Sequence, residues 1–273
     1  MRTIGGYADT EWGQVHYRRN GESGPWIGLF HESPLSSRVY EAVLPLLGRH
    51  ARAVAFDTPG YGASDPPPSR HTEIPDYARV LAQAAARIGM ERPVLGGVHT
   101  GASLAIETAA ALPGGVCGLV LSGVALLDDA ERAAYLSRWT PEVPFDDHGA
   151  QFGWGVERYR RIWGADVPPE LLHLAVVELM RTHDRYDWAY QAAFRHDPAA
   201  SLAAEPAPVL LLDAEFDLLA DKDPRALELA RDARLLTLAG LPGQPHLRVP
   251  DRYAAEILAF AREITPEERE PLS

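Results

Sequence analysis

The run Pro93-Val94-Leu95-Gly96-Gly97-Val98-His99-Thr100-Gly101 constrains this chain more than any other segment. An apolar stretch ends in a G-x-X-x-G frame, which opens directly into residues 102–110, rich in helix formers. Such a frame is a sharp strand-to-helix bend, in which the flanking glycines remove side chains that would block the turn. The residue at its tip is His99. An imidazole titrates near neutral pH, so this tip is suited to moving protons.

The same apolar-then-helical rhythm recurs along the chain. Strands are predicted at 13–18, 26–30, 53–56, 94–98, 118–121, 208–212 and 234–238, with helices at 39–50, 74–88, 102–112, 225–231 and 251–264. Short, wholly apolar strands alternating with helices predict a mostly parallel sheet covered on both faces. Ligands of such sheets bind beyond the carboxyl ends of the strands. Between 128 and 206 the alternation stops. That segment reads as helices at 129–139, 154–162, 169–181 and 186–195, and it carries Trp139, Trp154, Trp163 and Trp188. It is expected to be a helical lid inserted into a core made of 1–127 and 207–273. The charged, proline-punctuated tail 265–271 is expected to fray.

Composition narrows the partners. The net charge is 26 − 38 = −12, which argues against nucleic acid or an anionic membrane. No apolar run approaches the ~20 residues that span a bilayer, and the N-terminus lacks the features of a secretory signal. A cytoplasmic protein with a small-molecule substrate is expected, with a homodimer left open. The single cysteine, Cys117, lies in an apolar stretch and reads as an inert core thiol. His148, His173, His183 and His196 lack zinc-ligand spacing, and the glycines at 96–101 match neither a P-loop nor a dinucleotide fingerprint. No metal and no cofactor are expected.

Five motifs then occur in order. Phe30-His31-Glu32-Ser33-Pro34 resembles an H-G-x-P oxyanion loop, and 56–65 (Phe-Asp-Thr-Pro-Gly-Tyr-Gly-Ala-Ser-Asp) resembles a D-x-P-G-x-G-x-S-D turn. Residues 97–101 match the nucleophile-elbow frame, and 212–217 resemble the G-x-x-D element that supplies a triad acid. Residues 245–251 are similar to the segment after a triad histidine. Together they resemble the α/β-hydrolase superfamily, which implies an α/β sheet of about eight strands with helices on both faces. The departures are equally specific. His99 stands at the nucleophile position, Glu32 replaces a loop glycine, and the triad-histidine position falls on Gly243, with His246 three residues later. Asp217 stands where the family acid is expected.

The chemistry expected of these groups centres on His99. The positive end of the following helix should depress its pKa and leave a neutral base, oriented by Asp217 or Glu32. Glu32 either faces the cavity with a pKa raised by burial, or points outward to Arg38. Thr100 offers a backbone oxyanion donor, with its side chain turned elsewhere, and Ser103 bonds locally. His31 supports its loop, while His246 either reaches the pocket or packs the last helix. His31, Thr100, His246 and the lid residue Trp154 are assigned to substrate binding, and His99, Asp217 and Glu32 to catalysis. The expected enzyme acts on a small, fairly apolar substrate without a serine acyl-enzyme. It performs ester or lactone hydrolysis, or an elimination, isomerisation or cyclisation. The rival expectation is a non-catalytic binding or regulatory protein with a degenerate triad.

Overall fold

Strands buried on both faces form the centre of the molecule because their sequences are almost wholly apolar, and the polar exceptions Ser122 and Asp213 find hydrogen-bond partners inside. The computed structural model describes residues 2–265. In chain order the strands are β1 (Ile4–Thr10), β2 (Gly13–Asn20), β3 (Trp26–Phe30), β4 (Arg52–Phe56), β5 (Val94–Val98), β6 (Gly118–Ser122), β7 (Val209–Ala214) and β8 (Ala233–Leu238). They form one sheet in the order β1-β2-β4-β3-β5-β6-β7-β8. β1 pairs antiparallel to β2 and β2 to β4, and every other pair is parallel. Every residue of β5, β6 and β7 is buried.

The helices are α1 (Leu44–Leu47), α2 (Ile74–Arg87), α3 (Thr100–Ala111), α4 (Asp129–Arg138), α5 (Ala150–Trp163), α6 (Pro169–Arg181), α7 (Trp188–Arg195), α8 (Ala199–Ala204), α9 (Asp223–Leu229), α10 (Pro245–Arg248) and α11 (Pro250–Ile264). Two apolar clusters flank the sheet. Tyr77, Leu81, Leu104 and Ile106 of α2 and α3 build one, and Leu44, Tyr253, Ile257 and Phe260 of α1 and α11 build the other. Five helices, α4 to α8, follow one another between β6 and β7 without a strand.

The expected helix at 39–50 is instead a 3-10 turn, Ser37–Tyr40, followed by the single turn of α1. Pro45 explains the break: it has no N–H to give a preceding turn, so it sits at the start of a new one. Strand β1 escaped prediction because it is mostly exposed and lacks an apolar run. Cys117 is half-buried against the α1–α11 side, not fully in the core. The tail from 266 onward lies outside the described residues. Among the described residues no helix is long and apolar enough to cross a membrane.

Candidate active site

His99 sits between β5 and α3 with φ 51° and ψ −112°, a backbone conformation that costs a non-glycine residue about 1–3 kcal/mol. Two close approaches hold it there. A Cβ on Gly97 would strike the backbone of Gly101, and a Cβ on Gly101 would strike the carbonyl of Phe30. The His99 N–H donates to the Ser122 carbonyl at 2.9 Å, and its own carbonyl accepts from Ala102 at 2.9 Å. The turn is thus fixed by packing and hydrogen bonds on both sides.

The imidazole of His99 reaches the loop after β7. Its Nε2–H donates to both carboxylate oxygens of Asp217, at 2.9 and 3.0 Å. The Leu219 N–H also donates to Asp217 Oδ1, at 2.9 Å. Two glycines make room for this pairing. A Cβ on Gly123 would collide with the His99 ring, and a Cβ on Gly243 would lie 3.1 Å from Asp217 Oδ2. Gly243, where the family resemblance placed a triad histidine, leaves the acid free for a partner arriving from the elbow.

This pairing corrects the expected charge state. Burial works against a charged His99, but the Asp217 carboxylate outweighs it and the imidazole pKa rises to about 9. His99 is therefore an imidazolium at neutral pH, not a neutral base. Nε2 is committed to Asp217, which leaves Nδ1 as the nitrogen available to a ligand. Burial would raise Asp217, and the facing imidazolium holds it low instead. Behind it, Asp213 is pushed up to about 8 by burial and by the neighbouring carboxylates of Asp217 and Asp223. Asp213 is fully buried and accepts from the Gly123 N–H at 3.0 Å.

Glu32 is positioned by the residue before it. His31 Nδ1–H donates to the Glu32 carbonyl at 2.9 Å, and His31 Nε2 accepts from the Thr58 N–H at 3.0 Å. These bonds fix one neutral tautomer and pin the loop after β3 to the turn after β4. That turn is organised by Asp57, whose carboxylate accepts from His16, Ser37 and Ala63. Glu32 faces the cavity and not Arg38, which pairs with Glu41 and Glu178. Burial would raise its pKa, but His246 and then His99 hold it below the ordinary value. Glu32 is thus a carboxylate, contrary to the raised pKa expected from burial. His246 Nε2 lies 3.3 Å from Glu32 Oε2, an ion-pair distance without hydrogen-bond alignment.

A cavity of about 160 Å³ opens at the carboxyl ends of the strands. His99, Glu32, Thr100 and Gln244 supply polar groups from the sheet side, while Tyr135, Trp139, Tyr159, Trp163 and Tyr190 close it from the helical segment. Thr100 is among the residues that line the wall. His31, His246 and Trp154, assigned to substrate, stand off the wall. His31 is a loop pin, and His246 is fully buried against Tyr40 and Tyr253. Trp154 packs on Tyr186. Sequence reasoning missed Asp213, Gln244 and the aromatic wall. Asp213 lay inside a motif already singled out, and the wall was visible only as scattered aromatics. Among the described residues no three His, Cys, Asp or Glu side chains are grouped to hold a metal ion.

Comparison with known proteins agrees with this architecture. Residues 23–259 match the model of the alpha/beta hydrolase family. Haloalkane dehalogenase 2 of Mycobacterium tuberculosis (strain ATCC 25618 / H37Rv) is 31% identical over 113 residues, covering 41% of this chain and 39% of that protein. The match therefore spans about two fifths of the relative's length. A hydrolase from Pseudomonas aeruginosa PA01 superposes with a TM-score of 0.78 at 21% identity, covering 94% of this chain and 97% of that one. Bromoperoxidase from Bacillus anthracis superposes with a TM-score of 0.79 at 17% identity, covering 94% and 99%. The chain belongs to the alpha/beta hydrolase family.

Proposed function

We propose that this protein is an enzyme that transfers protons on a small, largely apolar substrate, with His99 at the position where the family carries its nucleophile. No acyl-enzyme on serine is formed. The observation that carries this reading is the His99–Asp217 pair: Nε2 is tied to the carboxylate, and Nδ1 is left for a ligand in a cavity that Glu32 also lines. The imidazolium is the acid and the Glu32 carboxylate is the base, a pair of groups whose surroundings set opposite charges. In ester or lactone hydrolysis, Glu32 takes a proton from water as the oxygen attacks the carbonyl carbon. His99 Nδ1–H then protonates the departing alkoxide, giving acid and alcohol. In an elimination, Glu32 takes a carbon-bound proton, and His99 protonates the leaving oxygen. Hydrolysis is the favoured reaction because the similar proteins include a dehalogenase and a hydrolase.

The same reading makes 128–206 a lid over a core of 1–127 and 207–273, in a cytoplasmic protein whose partner is its substrate, without cofactor or metal. The test is steady-state turnover of a panel of aryl esters and lactones. His99→Ala is expected to lose ~100-fold or more in kcat while ligand still binds. The wild-type rate should fall above about pH 9, as the imidazolium loses its proton, and that limb should vanish in the variant. Full activity in His99→Ala, or a trapped acyl adduct, would overturn the reading. Saturable binding without turnover of any substrate would mark a binding protein instead.

A further inference from the structure

The loop after β7 buries Asp217 and turns the residues on either side of it outward. Phe216 is 62% exposed and Leu218 is 51% exposed, while Asp217 and Leu219 are buried. Hydrogen bonds fix the loop in this form. The Phe216 N–H donates to the Leu241 carbonyl at 2.9 Å, and the Leu219 N–H donates to Asp217 Oδ1 at 2.9 Å. The first of these bonds also draws in the loop after β8, which carries Pro242. Of the residues lining the cavity, only Phe216, Leu218 and Pro242 are exposed, and all three are apolar. Scattered apolar side chains on a surface are ordinary. Three that share the edge of one cavity form an uncharged lip, continuous with its apolar interior.

We infer that this lip is a subsite for an aliphatic chain of the substrate, bound partly outside the cavity. The inference rests on reading the cavity as the substrate site. The interior, about 160 Å³, holds one ring-sized group. Anything longer must leave across the edge, and the exposed edge is apolar. The lip also adjoins the proton donor, because Asp217, between Phe216 and Leu218 in sequence, accepts from His99 Nε2–H. In the hydrolysis proposed above, His99 protonates the departing alkoxide, so the chain over the lip belongs to the alcohol half. The substrate class is then an n-alkyl ester of a compact acid that fits the aromatic interior. A charged or strongly hydrated alcohol half would lose water against the lip without gaining a partner.

The experiment measures binding of N-alkylbenzamides, from methyl to octyl, by calorimetry; these are unreactive analogues of such esters. A fully buried methylene raises affinity about 4-fold, so a chain lying on an open lip should gain ~2–3-fold per methylene beyond propyl. The double variant Phe216→Ser/Leu218→Ser should flatten that gain and leave N-methylbenzamide binding within ~2-fold of wild type. Leu218→Ser alone should remove part of the gain. The double variant should keep a His99 titration near 9, which shows that the Asp217 loop is intact. His99→Ala should keep the gain, so this inference and the proton-transfer reading fail separately. Affinity that is flat beyond propyl in wild type overturns the inference, as does failure of every benzamide to bind. A gain that survives both variants overturns it too, by placing the chain elsewhere in the cavity. So does a wild-type dimer, seen by sedimentation, that the double variant dissociates, since a second copy would then cover the lip.

Discussion

At the residue scale, the charge on His99 is decided by a contest between burial and Asp217, and Asp217 wins because its carboxylate chelates Nε2–H through both oxygens. Asp217→Asn removes the charge but keeps the shape, so burial should then prevail. The His99 imidazole, followed by NMR, is expected to titrate near 9 in wild type and below the ordinary 6.5 in the variant. An unchanged titration would remove Asp217 as the cause. The sign carries over to stability. A pKa raised on folding gives a contribution that is complete below the unfolded value of about 6.5 and lost as pH rises through about 9. The wild-type melting temperature should therefore decline across that window, and Asp217→Asn should decline less. Glu32 works in the opposite direction: its lowered pKa gives stability present above the ordinary 4.5 and lost as the solution is acidified.

At the element scale, the elbow reverses the usual ranking of alanine and glycine. His99→Ala and His99→Gly both delete the imidazole and both leave Asp217 unpaired, so those costs cancel between them. Only alanine keeps a Cβ at φ 51°, which glycine avoids. His99→Gly is expected to unfold at higher urea than His99→Ala, by about 1–2 kcal/mol in stability. Equal midpoints would mean that the turn is unstrained. This bend was legible in the sequence because glycine spacing and a change of period are local properties. The strands β3 to β8 and the helix α6 were legible for the same reason. The His99–Asp217 pair could be named but not charged, since its pKa depends on how deeply two segments 118 residues apart are buried together. His246 shows the limit from the other side: its neighbours in sequence left open both a reach to the pocket and packing on the last helix, and the α10 turn packs it behind Glu32 and against Tyr253 of α11.

At the scale of the whole molecule, the helical segment between β6 and β7 must be held to the sheet firmly enough to keep the aromatic wall over His99. Its attachment is concentrated where α6 runs into α7. Arg181 and Arg185 donate to the carbonyls of Gly62 and Gly60 at 2.9 and 2.8 Å, and the buried Glu178 accepts from Arg38 at 3.2 Å. Tyr61 lies at the centre of this junction. Its hydroxyl accepts from the Ala189 N–H at 2.9 Å and donates to the Tyr186 carbonyl at 3.2 Å. Tyr61→Phe would leave the buried Ala189 amide without an acceptor, at a cost of about 1–3 kcal/mol. Because that amide belongs to the first turn of α7, the loss should loosen α7 before the sheet. Hydrogen exchange should accelerate in α7 while amides of β5 and β6 keep their protection, and the His99 titration should stay near 9. Uniform acceleration across the sheet would show that the junction and the core unfold as one unit. No change in α7 would show that the segment's other contacts, among them Lys222–Glu131, His196–Glu107 and Arg195–Glu73, hold it without the Tyr61 hydroxyl.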